Sequence, residues 1–299
     1  MRNHPTFRPY MSKFTEYAIL YHTDWDGLTA AWIAQKYLKH IKHSENYILV
    51  PVNYGQPFPL DLPQEYGTIY ILDFSYDRET IEEILKSTKL VLLDHHTSAQ
   101  RELEGLPGCI FNTTMSGALL TWKHFFGANP PPHLVSYVED YDTWKFKLPK
   151  SHLITNAIYS HPLNLMSCNL LDKLFSSKEG FDQLLIEGQA IQRQKNLIIE
   201  SALKQKHTIW IGDYLVPACN WPILVSEIAG ALSGESNFPF GCCYHYDGKS
   251  NLWKYSVRTN KDNVDLSKLC AGFGGGGHPR AAGFHLSTSP FITNDNPRR

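Results

Sequence analysis

The stretch from Thr68 to His96, TIYILDFSYDRETIEEILKSTKLVLLDHH, decides the fold. It opens on a run of apolar, β-branched and aromatic residues, Thr68–Phe74, with Asp73 near its end. An amphipathic segment over Arg78–Lys86 follows, with Asp77 placed as its N-cap. A second apolar run, Lys89–Leu93, then leads into Asp94-His95-His96. Continuous apolar strands separated by amphipathic helices are the pattern of a parallel sheet covered on both faces. The same alternation holds upstream, with Tyr17–His22 (YAILYH) and Tyr47–Val52 as strands and Gly27–His40 as a helix between them.

Further along, the pattern turns helical from Ser116 to about Trp144, interrupted by Pro130-Pro131-Pro132. Residues 151–178 are expected to be irregular. Phe181–Lys206 reads as one long helix, polar enough for a connector between domains. Beyond it, Thr208–Ile211, Gly241–Tyr246 and Leu252–Val257 look like strands and Pro222–Leu232 like a helix. The expected architecture is α/β: a parallel-sheet domain over 14–180, a linker helix over 181–207 and a smaller α/β domain over 208–288. Residues 1–13 and 289–299 are expected to be loose ends.

Composition bounds the function. The 299 residues are 42% hydrophobic and 19% charged, with a formal net charge of −1, so a polyanion would have to be gripped locally. The six cysteines show no CxxC spacing, which favours buried free thiols in a reducing compartment over a disulfide framework or zinc site. No apolar run approaches the roughly 20 residues of a membrane span, and the first thirteen residues lack the apolar core of a signal peptide. A cytoplasmic protein without a membrane partner is expected.

Four acidic clusters fall at the carboxyl ends of expected strands or helices: His22-Thr23-Asp24-Trp25-Asp26-Gly27, Asp73, Asp94-His95-His96 and Asp140-Tyr141-Asp142. In an open parallel sheet these ends line the ligand crevice, so the clusters should converge. Converging carboxylates repel one another and call for cations. Oxygen ligands with one or two imidazoles suit Mn²⁺, Mg²⁺ or Fe²⁺. Two such ions about 3.5–4 Å apart can activate water and steady a phosphoryl group. Singly, each cluster reads as a turn, a helix cap or a surface pair; their joint occurrence points to phosphate-ester hydrolysis.

A second signal is Gly274–Gly277 followed by His278-Pro279-Arg280. Glycines allow close backbone approach and leave N–H groups to cradle an anion, and His278 adds a directional donor. From residue 245 on, Lys and Arg outnumber Asp eight to four with no Glu, and Arg258 suits bidentate contact with phosphate. Catalysis on one domain and phosphate capture on the other would suit a closing cleft. Trp25, Trp144 and Trp253 are candidates for base stacking, although packing is the commoner role for aromatics near strand ends.

With these motifs in order, the chain resembles the DHH phosphoesterase superfamily over nearly its whole length. HTDWDGLTAA, ILDFS, LLDHH and VEDYDTW match its four motifs, and YSVRTN and GFGGGGHPRAAGF are similar to its smaller DHHA1 domain. The layout is closest to the nanoRNase-type oligonucleotide phosphodiesterases and more distantly resembles RecJ-type exonucleases. The resemblance implies two divalent ions, Mn²⁺ first and Mg²⁺ second. His22, Asp24 and Asp73 would hold one; Asp26, Asp73, His95 and one acid of the fourth motif would hold the other. Asp140 is preferred there because it follows the apolar Val135–Val138 stretch, with Asp142 as the alternative. Asp73 would bridge the ions, His96 would face the substrate and Asp94 would orient a histidine. Arg258, Gly275, Gly276, Gly277 and His278 would bind substrate.

The implied substrates are short single-stranded oligonucleotides or dinucleotides, hydrolysed to mononucleotides. Pyrophosphate or polyphosphate hydrolysis is the alternative chemistry, and a degenerate nucleic-acid-binding relative the alternative class. RNA versus DNA, cleavage polarity, cyclic dinucleotides and a homodimeric state stay open.

Overall fold

Strand β1 (Thr15–His22) is the hub of the first sheet, pairing in parallel with β2 (Tyr47–Val52) on one side and β3 (Tyr66–Leu72) on the other. Strands β4 (Lys89–Asp94) and β5 (Cys109–Phe111) complete a five-stranded parallel sheet in the order β2-β1-β3-β4-β5. The chain leaves β1 for one edge and returns on its other side. Strand order therefore reverses at β1 and β3, and in open parallel sheets ligands bind beyond the carboxyl ends at such a reversal. The computed structural model describes residues 15–59 and 66–288; the expected loose ends, 1–13 and 289–299, lie outside the described residues.

The apolar runs serve both faces, as a doubly covered strand requires. Ala18, Leu20, Ile69, Ile71 and Leu92 pack with Ile81 and Ile84 of α2 (Arg78–Ser87) and Leu103 of α3 (Thr97–Leu103). Their alternates Ile19, Tyr70, Leu72 and Leu93 pack with α1 (Trp25–His40) and with Leu120 of α4 (Gly117–Phe126). Asp77 caps α2, accepting from Thr80 N–H at 2.9 Å.

Helices α5 (His133–Asp142), α6 (Ser151–Ser160) and α7 (Leu165–Phe175) add a further core around Trp32, Leu134, Val138, Ile154 and Leu171. The stretch 151–178, expected to be irregular, thus contains two helices. Serine, threonine, asparagine and β-branched residues mask them, and His161-Pro162 separates them. Their stability comes from burying Ile154, Ala157, Ile158, Cys168, Leu171 and Phe175 rather than from propensity.

By contacts the chain divides into two compact units, Met1–Ile191 and Gln192–Arg299, with α8 (Lys178–Leu203) running through the boundary. The second unit carries a mixed six-stranded sheet in the order β10-β11-β9-β8-β7-β6. Its strands are β6 (His207–Ile211), β7 (Tyr214–Asn220), β8 (Gly241–Asp247), β9 (Leu252–Arg258), β10 (Gly276–His278) and β11 (Ala281–Leu286). Only β7 and β8 pair in parallel. Pro217 hides β7 from its sequence; it lies where β7 pairs with β6 alone, and the β8 ladder begins at Ala218. Helix α9 (Val225–Ser233) covers one face and α10 (Leu266–Ala271) the other. Cys242 and Cys243 point to opposite faces, and all six cysteines are free. Among the described residues, no helix is long and apolar enough to cross a membrane.

Candidate metal centre

Every group of the histidine–carboxylate cluster in the first unit is delivered by the end of a strand or helix. His22 ends β1, and Asp24 caps α1, accepting from Gly27 N–H at 2.8 Å through Oδ1. Its Oδ2 lies 2.8 Å from His22 Nδ1. Asp26, in the first turn of α1 and buried, accepts from Gly117 N–H (2.6 Å) and Ala118 N–H (3.0 Å), the first amides of α4. Asp73 follows β3 with φ +55°, a left-handed conformation that costs a non-glycine residue energy but that aspartate tolerates better than most. Its amide donates to Leu93 O at 2.8 Å, which fixes it against β4.

His95 Nε2 stands among three carboxylates: Asp73 Oδ1 at 3.2 Å, Asp142 Oδ2 at 3.6 Å and Asp26 Oδ2 at 3.9 Å. Yet Asp73 Oδ1 and Asp142 Oδ2 are buried and make no hydrogen bond. His22 Nδ1 also lies 3.8 Å from Asp73 Oδ2, so Asp73 faces both histidines. Ligand-type atoms of His22, Asp24 and Asp73, and of Asp26, His95 and Asp142, lie within 4.8 Å of one another in each set.

Electrostatics separates these acids into two kinds. Burial, followed by the charges of Asp26, Asp24, Asp142 and Asp94, pushes the Asp73 carboxyl well above the ordinary carboxylate range. Burial and the charges of Asp26, Asp24 and Glu139 do the same to Asp142. Burial also raises Asp26, against the pull of His95. Burial acts upward on Asp24 too, but the hydrogen bond and charge of His22 outweigh it and leave that carboxyl below its usual range.

Asp94 behaves differently. Oδ1 accepts from the amides of His95 (2.7 Å) and His96 (3.2 Å) and lies 2.7 Å from His96 Nδ1, while Oδ2 accepts from Ser75 Oγ at 2.6 Å. Asp94 thus grips the His96 ring directly, a placement that suits a support for His96, and it also neighbours Asp73 and His95 in the cluster. Burial works against its ionised form, but His96 and Ser75 outweigh burial and lower its pKa. Reciprocally, burial lowers the His96 pKa but the Asp94 hydrogen bond and charge prevail, so the imidazole is raised.

In the fourth motif the structure sets Asp142, the alternative, beside His95 and gives Asp140 backbone donors instead. Asp140 Oδ1 accepts from Lys147 N–H at 2.8 Å and Oδ2 from Leu148 N–H at 3.2 Å, pinning the loop after α5. Residues two apart on a helix point about 200° apart, so the residue that follows the buried Val135–Val138 face turns away and Asp142 turns in. Glu139, which carried no signal of its own, accepts from Ser116 N–H (2.5 Å) and from Lys145 Nζ (2.5 Å), bracing the start of α4. Gly117 is the other residue passed over: a Cβ there would meet Asp73 Cβ at 2.5 Å.

Of the three tryptophans, Trp25 is buried against Tyr159 and Trp253 packs on Tyr244 and Tyr246. Trp144 is exposed but stands with Tyr141 and Phe146 rather than with a ligand-type residue.

The second unit aligns the phosphate-type residues. Arg258 of β9 registers with Ala281 of β11, which registers with His278 of β10. The Arg258 guanidinium donates to Val257 O (2.8 Å), Ala282 O (3.4 Å) and Ser226 Oγ (2.6 Å). Gly276, Gly277 and His278 are exposed, and Gly275 lies at the start of this edge.

No protein-family model matches the chain. An uncharacterized protein of Acanthamoeba polyphaga mimivirus is 28% identical over 288 residues, covering 90% of this chain and 67% of that protein. RecJ from Thermus thermophilus, solved in complex with Mn²⁺, is 16% identical with a TM-score of 0.52 and covers 91% of this chain. The match takes in 50% of RecJ, so this chain corresponds to half of that protein. The DHH domain of a member of the s1p family of ribosomal proteins is 11% identical, also at a TM-score of 0.52, over 92% of this chain and 84% of that one. The α/β architecture is the one these DHH-domain structures share.

Proposed function

We propose that this DHH-fold chain is a metal-dependent phosphodiesterase that hydrolyses short oligonucleotides or dinucleotides to mononucleotides. One observation carries the reading: the buried oxygens Asp73 Oδ1 and Asp142 Oδ2 lack hydrogen bonds while aimed at His95. Buried anions persist only when paired, and among the described residues no lysine or arginine forms an ion pair with either acid. A divalent cation fits this donor set. His22, Asp24 and Asp73 would hold one ion, and Asp26, Asp73, His95 and Asp142 a second, with Asp73 common to both. The complex of RecJ with Mn²⁺ supports Mn²⁺ as the first choice, and Mg²⁺ suits the same oxygen-rich set.

Bound ions would supply a water of lowered pKa and charge stabilisation for the phosphoryl oxygens. The chain's own residues do the rest. Asp94 accepts from His96 Nδ1–H and favours the imidazolium, whose Nε2–H would meet a phosphate oxygen and pass its proton to the leaving oxygen. The Asp26 carboxylate is locked on the α4 amides and Asp73 on the β4 backbone, so neither has to reorganise during the reaction. In the second unit, Arg258, His278 and the amides of Gly275–Gly277 are the groups suited to binding a nucleotide phosphate.

Product analysis tests the reading, with end-labelled RNA and DNA of graded length in Mn²⁺ and Mg²⁺, beside pyrophosphate and tripolyphosphate. Mononucleotide release that is fastest on the shortest chains, and lost in folded Asp73→Asn, is the expected result. Preference for pyrophosphate or tripolyphosphate, or undiminished turnover in folded Asp73→Asn, would overturn it.

A further inference from the structure

Tyr54 is a large aromatic residue left 56% exposed, and yet it is held in place. It is second in a four-residue turn just beyond β2, in which Gln56 N–H donates to Asn53 O (3.1 Å) and Asn53 N–H to Gln56 Oε1 (2.9 Å). Gly55, third in the turn, has φ +82°, the value a type II turn demands there. Thr23 Oγ1 donates to Asn53 Oδ1, tying the turn to the segment that carries His22 and Asp24. The Tyr54 ring rests on buried Phe74 with centroids 4.7 Å apart. It also meets His22 (5.6 Å, 62°) and His96 (6.1 Å, 85°).

Singly exposed aromatics are common on protein surfaces and need no function. This one differs in its neighbours: it touches one histidine from the end of β1 and another from beyond β4, both at the metal centre. A ring already fixed by a turn, a tie and a packed neighbour loses little entropy when a ligand covers its remaining surface. Flat, apolar ligand surface beside a phosphate is what a nucleobase offers. Trp144 is equally exposed but makes no ring contact with either histidine.

We infer, on the reading that the chain cleaves nucleotide phosphodiesters, that Tyr54 is a stacking platform for a nucleobase of the substrate. The base lies against the ring while its phosphate is at the metal centre. Recognition then includes the base as well as the phosphate, and it tolerates sequence because every base has a stacking face.

The test compares AMP with ribose 5-phosphate, which share phosphate and ribose and differ by the base. Their binding to the full chain in Mn²⁺ is measured by titration calorimetry for wild type, Tyr54→Phe and Tyr54→Ala. Wild type and Tyr54→Phe are expected to bind AMP about tenfold tighter than ribose 5-phosphate, the factor that about 1.4 kcal/mol of stacking confers. Tyr54→Ala should erase that advantage and leave ribose 5-phosphate binding unchanged. An AMP advantage that survives in Tyr54→Ala, is absent from wild type, or falls together with ribose 5-phosphate binding overturns the platform. Oligonucleotide turnover by wild type reports separately on the parent reading: its absence sinks the phosphodiesterase, while a Tyr54-dependent AMP advantage would still show a base site. For oligonucleotides, Tyr54→Ala should raise KM with little change in kcat.

Discussion

The strand ends of the first unit and the glycine-rich edge of the second both gather groups suited to phosphate chemistry, but they hold charge in opposite ways. At the strand ends, burial and mutual repulsion push Asp26, Asp73 and Asp142 upward, and two carboxylate oxygens have no hydrogen bond. At the glycine-rich edge, Arg258 spends its guanidinium on two carbonyls and a serine, and Arg280 pairs with Asp262. The first region has a donor set that a bound cation would complete. The second is already held by its own chain and offers a settled surface. Stability and activity should therefore answer to metal in the first region and to substrate length in the second.

The sharpest way to break this contrast lies within one helix turn. Asp142→Asn should weaken Mn²⁺ binding by more than the roughly 10–100-fold that loss of a partner outside the ligand set costs, and turnover should fall with it. Asp140→Asn should leave Mn²⁺ affinity close to wild type and instead cost about 1–3 kcal/mol of stability, because Lys147 and Leu148 donate to different oxygens and one of these becomes an NH₂ group. Calorimetric Mn²⁺ titration and urea unfolding of the two variants separate the effects, and the opposite assignment of losses would reverse the roles.

A second prediction concerns close approach. In Gly117→Ala the new methyl meets Asp73 Cβ at 2.5 Å, and Asp73 already holds φ +55°. Overpacking should cost about 1–3 kcal/mol and displace the shared acid, so turnover should fall further than stability alone explains. Wild-type turnover and melting temperature in this variant would show that the approach carries no constraint.

The pH dependence of the metal-free protein gives a smaller, signed effect. Asp26, Asp73 and Asp142 have folded pKa values above the unfolded ones, so from about pH 4 upward the folded state binds more protons. Stability should therefore fall as pH rises through the raised values. His96, also raised, acts in the same direction, losing its contribution as pH climbs through its folded value. The lowered acids Asp24, Asp94 and Asp140 act oppositely, at the acid end, where their contribution is lost as pH falls through their folded values. Between about pH 5 and about pH 8 the metal-free melting temperature should decline, Asp73→Asn should flatten the decline, and the gain from Mn²⁺ should widen. A flat metal-free profile would mean that no cation is needed there.

Much of this was legible in the sequence. Continuous apolar runs ending in acids pointed to both the parallel sheet and the convergence of His22, Asp24, Asp26, Asp73 and His95, because period and strand-end position are local properties. The placement of Asp142 beside His95 was not legible, because telling it from Asp140 requires knowing which side of α5 faces the sheet. Helices α6 and α7 were hidden since their helicity rests on Ile154, Leu171 and Phe175 reaching a core assembled from distant segments. Tyr54 and Gly117 bear no motif; each matters through a contact that exists only once the fold has formed.

Metal stoichiometry probes the shared acid most directly. Equilibrium dialysis of the full chain against Mn²⁺, with metal counted by mass spectrometry, should find two ions per chain in wild type. Folded Asp73→Asn should lose both tight sites if both share that residue as proposed, while Arg258→Lys should keep two. Wild type without tightly held Mn²⁺ or Mg²⁺, or Asp73→Asn retaining the wild-type count, would contradict the assignment.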